Sequence, residues 1–320
     1  MGRPIAVAHY PEGNGHATRM LAVGKALEAA GDAVAYAGGG DGSRLLEANG
    51  YHEFRPTAVD FVEDYQAGSF CRTLARSGPL SCRRVVDYRR WFARVRPAAV
   101  VTDDMFAAVA ALHTGAPLFV VTHNAPSLYT DVVERAFTRL VTRYQLAASR
   151  AFLYPSVWPV GPDDPRGVTH IPPIALDAPA GRPGVSDLDV LLVPSVYSRG
   201  FDALAAALRA EGREVQLVGD ARWQRVPALL PYLRAASVVV CSGYSTVMEA
   251  AVAGTPCVLY PFTDEQRGVA GRIARAGLGG FQVATSVEGV RRAVRHPPRA
   301  AGYPNGAGRA AELVHEGLAG

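Results

Sequence analysis

Residues 238–266, VVVCSGYSTVMEAAVAGTPCVLYPFTDEQ, decide the fold of this chain. Residues 238–241 are an apolar, β-branched run that reads as a buried strand, and Ser242-Gly243 break it. Residues 244–253 carry a helical pattern that stops at Gly254 and Pro256. A second buried strand is expected over 257–260, followed by an acidic loop that closes with Asp264, Glu265 and Gln266. Strand, polar turn, helix, strand is the layout of a nucleotide site.

Outward from this unit the same alternation continues to both ends. Strands are expected over 5–10, 33–37, 98–102, 118–122 and 151–154, then over 190–193 and 215–218, with helical patterns between them. Strands alternating with helices imply parallel sheets covered on both faces. Residues 160–187 are rich in proline and glycine (GPDDPRG, IPPIALDAPAGRPG) and read as a linker without regular structure. The expected architecture is α/β, with two Rossmann-like domains, 1–175 and 186–320, joined near residue 180 and facing each other across a cleft. Ligands of such sheets bind beyond the carboxyl ends of the strands.

With 320 residues and 49% hydrophobic content, the chain can bury two cores of ordinary size. No apolar run approaches the roughly 20 residues that span a bilayer. The start of the sequence shows no signal-peptide pattern, so a cytoplasmic location is expected. The cysteines at 71, 82, 241 and 257 form no CxxC pair and are expected as free thiols. The net charge of +4 is too small to imply a nucleic-acid partner, and none is expected. One basic cluster stands out: Arg72, Arg76, Arg83, Arg84, Arg89, Arg90, Arg94 and Arg96, interleaved with Trp91 and Phe92. The plain reading is a solvated helix face, and the sharper one is peripheral contact with an anionic membrane surface at the inner face of the membrane.

A helix starting near Tyr244 leaves the amide hydrogens of Gly243, Tyr244, Ser245 and Thr246 without intrahelical acceptors, and the helix dipole adds positive charge there. That suits a phosphate, with Ser242, Ser245 and Thr246 adding hydroxyls. Glu249 lies on the face of Ser245 and Thr246, roughly 5–6 Å further along the axis. The separation matches a ribose diol whose pyrophosphate rests on the helix end, and a carboxylate can accept from both hydroxyls. The other reading is a capped helix with an exposed glutamate. Asp264, Glu265 and Gln266, just beyond the next strand, supply the carboxylate and amide groups that a sugar's hydroxyls require.

The segment SGYSTVMEAAVAGTPCVLYPFTDEQ resembles the donor-site signature of GT-B glycosyltransferases, in particular the group of the lipid II-forming N-acetylglucosaminyltransferase and the UDP-glycosyltransferases. The resemblance implies that amides of Gly243 to Thr246 hold the pyrophosphate of a UDP-sugar co-substrate, Glu249 the ribose, and the acidic residue with Gln266 the transferred sugar. Val269 stands where that family often has asparagine, which leaves the sugar open. Pro194-Ser195-Val196-Tyr197 replaces the family's glycine-serine loop, with Ser195 expected to reach the donor.

In the first half, YPEGNGHATRM resembles the family's first glycine loop followed by histidine. A dinucleotide fingerprint is excluded, since Thr18 stands in place of its third glycine and the second strand ends at Ala37-Gly38 without an acid. Gly15 is expected near the donor and His16 near the reacting centre, either as general base or as a hydrogen-bonding group. Asp103 and Asp104 close the strand over 98–102. The resemblance implies an aspartate here that orients His16 and fits Asp104 better than Asp103; either could instead cap the helix from Met105, the job expected for Asp103. His123 and Asn124 resemble the lipid II enzyme's HEQN segment and are expected to face the acceptor. The Asp187-Leu188-Asp189 pattern precedes a strand instead of following one, so no metal is expected.

The function expected is an inverting, metal-independent transfer from a UDP-sugar to a hydroxyl of a lipid-linked or small-molecule acceptor. A UDP-sugar 2-epimerase and a non-catalytic nucleotide-sugar-binding partner are the alternatives.

Overall fold

In the computed structural model residues 2–59, 70–179 and 185–320 are described. The expected junction near residue 180 and the side chains at 71–76, with Cys71, Arg72 and Arg76, lie outside the described residues.

The strands are β1 (Ile5–Ala8), β2 (Val34–Ala37), β3 (Glu53–Phe54), β4 (Ala99–Thr102), β5 (Leu118–Val121), β6 (Ala151–Pro155), β7 (Thr169–Ile171), β8 (Leu188–Val193), β9 (Val215–Leu217), β10 (Ala236–Cys241), β11 (Cys257–Leu259) and β12 (Phe281–Val283). The helices are α1 (Gly13–Ala29), α2 (Gly42–Ala48), α3 (Phe70–Val95), α4 (Met105–Ala111), α5 (Val132–Ala148), α6 (Phe201–Ala210), α7 (Leu230–Ala235), α8 (Tyr244–Ala253), α9 (Asp264–Ala276), α10 (Val287–Arg295) and α11 (Ala307–Ala319). The strands form two parallel sheets, ordered β3-β2-β1-β4-β5-β6-β7 and β12-β11-β10-β8-β9. Both domains are Rossmann-like, as the alternation of elements implies.

The chain divides into one unit of 1–155, 161–171 and 306–320 and a second of 156–160 and 172–305. Two expectations meet corrections here. Residues 169–171, read as linker, form β7 and pair in parallel with β6. The last helix, counted with the second domain, belongs to the first: α11 packs on α1, and His315 Nε2 lies 2.6 Å from Asp32 Oδ2. A Cβ on Gly317 would stand 2.6 Å from Phe119 Cε1, so this helix approaches the first sheet more closely than any side chain there would allow.

Each core follows from the β-branched runs. In the second unit Val190, Leu192, Val238, Val240 and Val258 meet Phe201, Leu204, Leu208, Val290 and Val294 from the covering helices. In the first unit Ile5, Val7, Val100, Val101, Phe119 and Val121 are buried in the sheet. Both sheets reverse their strand order once, between β1 and β4 in the first and between β8 and β10 in the second. At such a point the loops leaving neighbouring strands run to opposite sides and open a crevice at the carboxyl ends.

The basic cluster of α3 is not a single solvated face. Arg83, Arg89, Arg90, Arg94 and Arg96 are exposed, but Arg84 is fully buried, and Trp91 and Phe92 belong to the core. The aromatic half of the expected membrane contact is therefore spent inside the domain. No described helix is long and apolar enough to cross a membrane. Cys82, Cys241 and Cys257 are free thiols.

Candidate functional site

In the first unit the reversal point gathers the ends of β1, β4 and β5. His16 stands in the opening turns of α1, its side chain 32% exposed, and its Nδ1 lies 2.8 Å from Asp103 Oδ2. A carboxylate at that distance requires the proton on Nδ1, which leaves Nε2 as the basic nitrogen. Asp103 is fixed from the other side by Tyr10, whose backbone N–H donates to Oδ1 at 2.8 Å. Arg19, one turn after His16 and almost wholly buried, forms an ion pair with Asp103 Oδ2. Burial alone would raise the Asp103 carboxyl, but the charges and hydrogen bonds of His16 and Arg19, with the Tyr10 amide, hold it at about 2.

This reverses the expected division of labour between the two aspartates. Asp104 is not behind His16: its Oδ1 accepts from Phe106 N at 2.8 Å as the cap of α4. Its Oδ2 accepts from Arg84 Nε at 2.9 Å, Arg84 Nη2 at 2.7 Å and the Tyr88 hydroxyl at 2.8 Å. Arg84 also donates to Thr57 O and Gly38 O, so Asp104 and Arg84 tie α3 and α4 to the loops after β2 and β3. The physical reason is that a buried guanidinium must be paired, and Asp104 is the carboxylate within its reach.

His123 and Asn124 follow β5 in the same unit. Arg19 Nη1 lies 3.3 Å from His123 Nδ1, so His123 joins the His16–Asp103 cluster. Asn124 Oδ1 accepts from the Tyr129 hydroxyl at 2.9 Å within its own turn. Gly15 sits in the first turn of α1, in the first unit. Arg19 carries no motif, and the signal for it is its place one turn from His16 among the buried residues of α1.

In the second unit the reversal point joins the loops after β8 and β10. Ser195 N donates to Ser242 Oγ at 3.0 Å and to Ser198 Oγ at 2.9 Å, and the hydroxyls of Ser198 and Ser242 stand 2.6 Å apart. A Cβ on Gly243 would be 3.7 Å from that of Ser195, so the two loops lie in contact. Helix α8 then starts with Gly243 as N-cap, no side-chain cap and no acidic residue in its first turn. An N-terminus of that kind keeps its free amides and its positive dipole end for an anion. The helix ends at Gly254 in the left-handed region (φ 75°), as the sequence implies.

Glu249 is 4% exposed on α8 and its Oε1 is buried without a hydrogen-bond partner. Burial pushes its carboxyl up to about 8. This rules out the reading of an exposed glutamate on a capped helix. A buried, unsatisfied carboxyl costs folding free energy, and a ligand that hydrogen-bonds it recovers that cost.

The segment expected as an acidic loop is the first turn of α9. Thr263 Oγ1 accepts from Gln266 N at 3.2 Å, and Gln266 Oε1 accepts from Phe262 N at 2.8 Å and Thr263 N at 3.3 Å, a capping box. Gln266 Nε2 donates to Ser195 Oγ at 3.1 Å, which carries the box to the serine cluster. Asp264 is buried and Glu265 half-buried in that first turn, where the dipole favours carboxylates. Among the described residues no group of three or more His, Cys, Asp or Glu stands together as a metal site.

Solved structures match this chain along nearly its whole length. SsfS6, a glycosyltransferase of Streptomyces sp. SF2575 complexed with thymidine diphosphate, is 18% identical over 99% of this chain and 96% of its own, with a TM-score of 0.66. The spinosyn forosaminyltransferase SpnP is 14% identical over 100% of both chains, with a TM-score of 0.65. The spinosyn rhamnosyltransferase SpnG complexed with spinosyn aglycone is 17% identical over 99% of this chain and 96% of its own, with a TM-score of 0.59. No protein-family model and no curated protein matches the chain. At these identities the likeness is one of fold: two Rossmann-like α/β domains, as in the GT-B glycosyltransferases.

Proposed function

We propose that this chain is a glycosyltransferase that moves a sugar from a UDP-sugar to a hydroxyl of a small-molecule or lipid-linked acceptor, with inversion, without a metal and in the cytoplasm. The observation that carries the reading is Glu249. A buried carboxyl with an unpartnered oxygen lies on the helix whose uncapped N-terminus adjoins the Ser195–Ser198–Ser242 cluster. Ribose against Glu249 and diphosphate against the helix end would satisfy both at once. With its carboxyl near 8 in the ligand-free site, Glu249 is largely protonated at neutral pH and offers one donor and one acceptor.

On this reading His16 Nε2 takes the proton of the acceptor hydroxyl as its oxygen attacks the anomeric carbon. Asp103 holds the ring by Nδ1 and balances the imidazolium that forms. The bond from the anomeric carbon to the diphosphate oxygen breaks, and the amides at the start of α8 stabilise the leaving charge.

Thymidine diphosphate is a second reading of the donor, favoured by its presence with the similar structure of SsfS6. Thymidine has no 2′-hydroxyl, so Glu249 would then meet the single 3′-hydroxyl of a deoxyribose instead of a diol. His16→Ala tests the chemistry: acceptor-dependent turnover is expected to fall by about 100-fold or more, with nucleotide affinity by calorimetry unchanged. Full turnover in that variant removes His16 as base.

A further inference from the structure

Arg19 belongs to no motif, yet it touches His16, Asp103 and His123 of the first half-site. Its Nη2 is paired with Asp103 and lies 3.2 Å from His16 Nδ1, and its Nη1 lies 3.3 Å from His123 Nδ1. The residue is 4% exposed, and its Nε is buried without a partner. Its two Nη atoms, not its Nε, are the ones that reach partners in the half-site. The geometry suits a fork whose two ends reach two rings.

Guanidinium only donates. Because Arg19 Nη1 can only donate to His123 Nδ1, that nitrogen must be bare and the His123 proton must sit on Nε2. His16 is the mirror case. Its Nδ1 proton is directed to Asp103, so the approach of Arg19 Nη2 to the same nitrogen is a proximity of charge, and Nε2 is bare.

We propose that Arg19 is a positioning residue: it sets the Nε2–H tautomer of His123 directly, and by pairing with Asp103 it holds the carboxylate that leaves His16 with a bare Nε2. Its catalytic meaning rests on the function proposed above: one ring accepts a proton and its neighbour can donate a hydrogen bond. The groups that face the His16–Asp103 pair are Arg19 on α1, His123 after β5, and His9 and Tyr10 after β1, of which Arg19 is the permanent cation.

The test uses the full chain labelled with 15N-histidine, with imidazole nitrogen shifts read at pH 8, and is independent of turnover. In the wild type His16 is expected as the Nδ1–H tautomer and His123 as the Nε2–H tautomer. In Arg19→Gln the His123 preference is expected to be lost. The same variant should lose at least tenfold in turnover at pH 7 and move the acid limb of its pH–rate profile up by about one unit, because loss of a nearby cation favours the protonated pair. Should Arg19→Gln not fold, Arg19→Lys keeps the charge without the fork, and it is expected to lose the His123 tautomer while keeping the acid limb. A wild-type His123 with its proton on Nδ1, or wild-type tautomers in a folded variant, overturns the proposal. Expected tautomers in a protein that transfers no sugar would overturn the transferase reading and leave the positioning role standing.

Discussion

Asp103 and Asp104 adjoin in the chain but serve different helices: Asp103 Oδ2 meets His16 on α1 at 2.8 Å, and Asp104 Oδ2 meets Arg84 on α3 at 2.7 Å. Successive residues at the end of a strand point to opposite faces of the sheet, so neighbours in sequence enter different layers. One carboxylate is then available to the half-site, and the other is committed to the scaffold.

The two aspartates should therefore fail differently. Asp103→Asn is expected to lower turnover per folded molecule by about 100-fold or more while leaving nucleotide affinity intact, and to cost stability as well, since it strips the buried Arg19 of its counter-charge. Asp104→Asn leaves the buried Arg84 without its counter-charge and should cost about 3–5 kcal/mol of stability, with near-normal turnover per folded molecule. Steady-state kinetics and denaturant melts of both variants check the assignment, and a larger loss of turnover in folded Asp104→Asn than in Asp103→Asn would reverse it.

Glu249 makes ligand-free stability fall with rising pH. Below its ordinary value near 4.5 both folded and unfolded states hold the proton; between there and about 8 the unfolded state ionises while the folded state does not. The folded state therefore loses ground across that window, by up to about 5 kcal/mol, and the loss levels off above it. Glu249→Gln cannot ionise. Urea midpoints of variant and wild type should coincide at pH 4 and diverge by pH 8.5 with the variant more stable; parallel curves would show that the carboxyl is not held neutral.

Gln266 joins a helix cap to the serine cluster, and two substitutions separate those roles. Gln266→Ala removes both and should cost about 1 kcal/mol of stability as well as donor affinity. Gln266→Glu keeps an acceptor for Phe262 N and Thr263 N but loses the N–H to Ser195 Oγ. It should retain most of the stability and still raise the KM for the nucleotide sugar. Equal effects on both quantities would deny the link to Ser195 any role in binding.

The β-branched runs of β1, β4, β8 and β10 and the glycine stop after α8 were legible because burial on both faces leaves a continuous apolar run. The edge strands β3, β7 and β12 were not: Glu53-Phe54, Thr169-His170-Ile171 and Phe281-Gln282-Val283 are two or three residues long and carry no such run. The first turn of α9 could have been read, since Thr263-x-x-Gln266 is a capping-box pattern that the neighbouring acids disguise as a loop. The choice between Asp103 and Asp104 was out of reach, because it depends on Arg84, which folding brings in from 20 residues away. The return of α11 to the first unit likewise rests on the fit of Gly317 against Phe119, a contact between distant segments.

Acceptor-dependent release of nucleoside diphosphate tests the central claim most directly. The wild type, supplied in turn with UDP-sugars and thymidine diphosphate sugars and with a panel of hydroxylated aglycones and lipid-linked acceptors, is assayed beside Glu249→Ala and His16→Ala. The account predicts release with at least one donor and acceptor pair, loss of donor affinity of about tenfold in Glu249→Ala, and loss of turnover alone in His16→Ala. Interconversion of a nucleotide sugar without acceptor, or nucleotide binding without turnover across the panel, would contradict it.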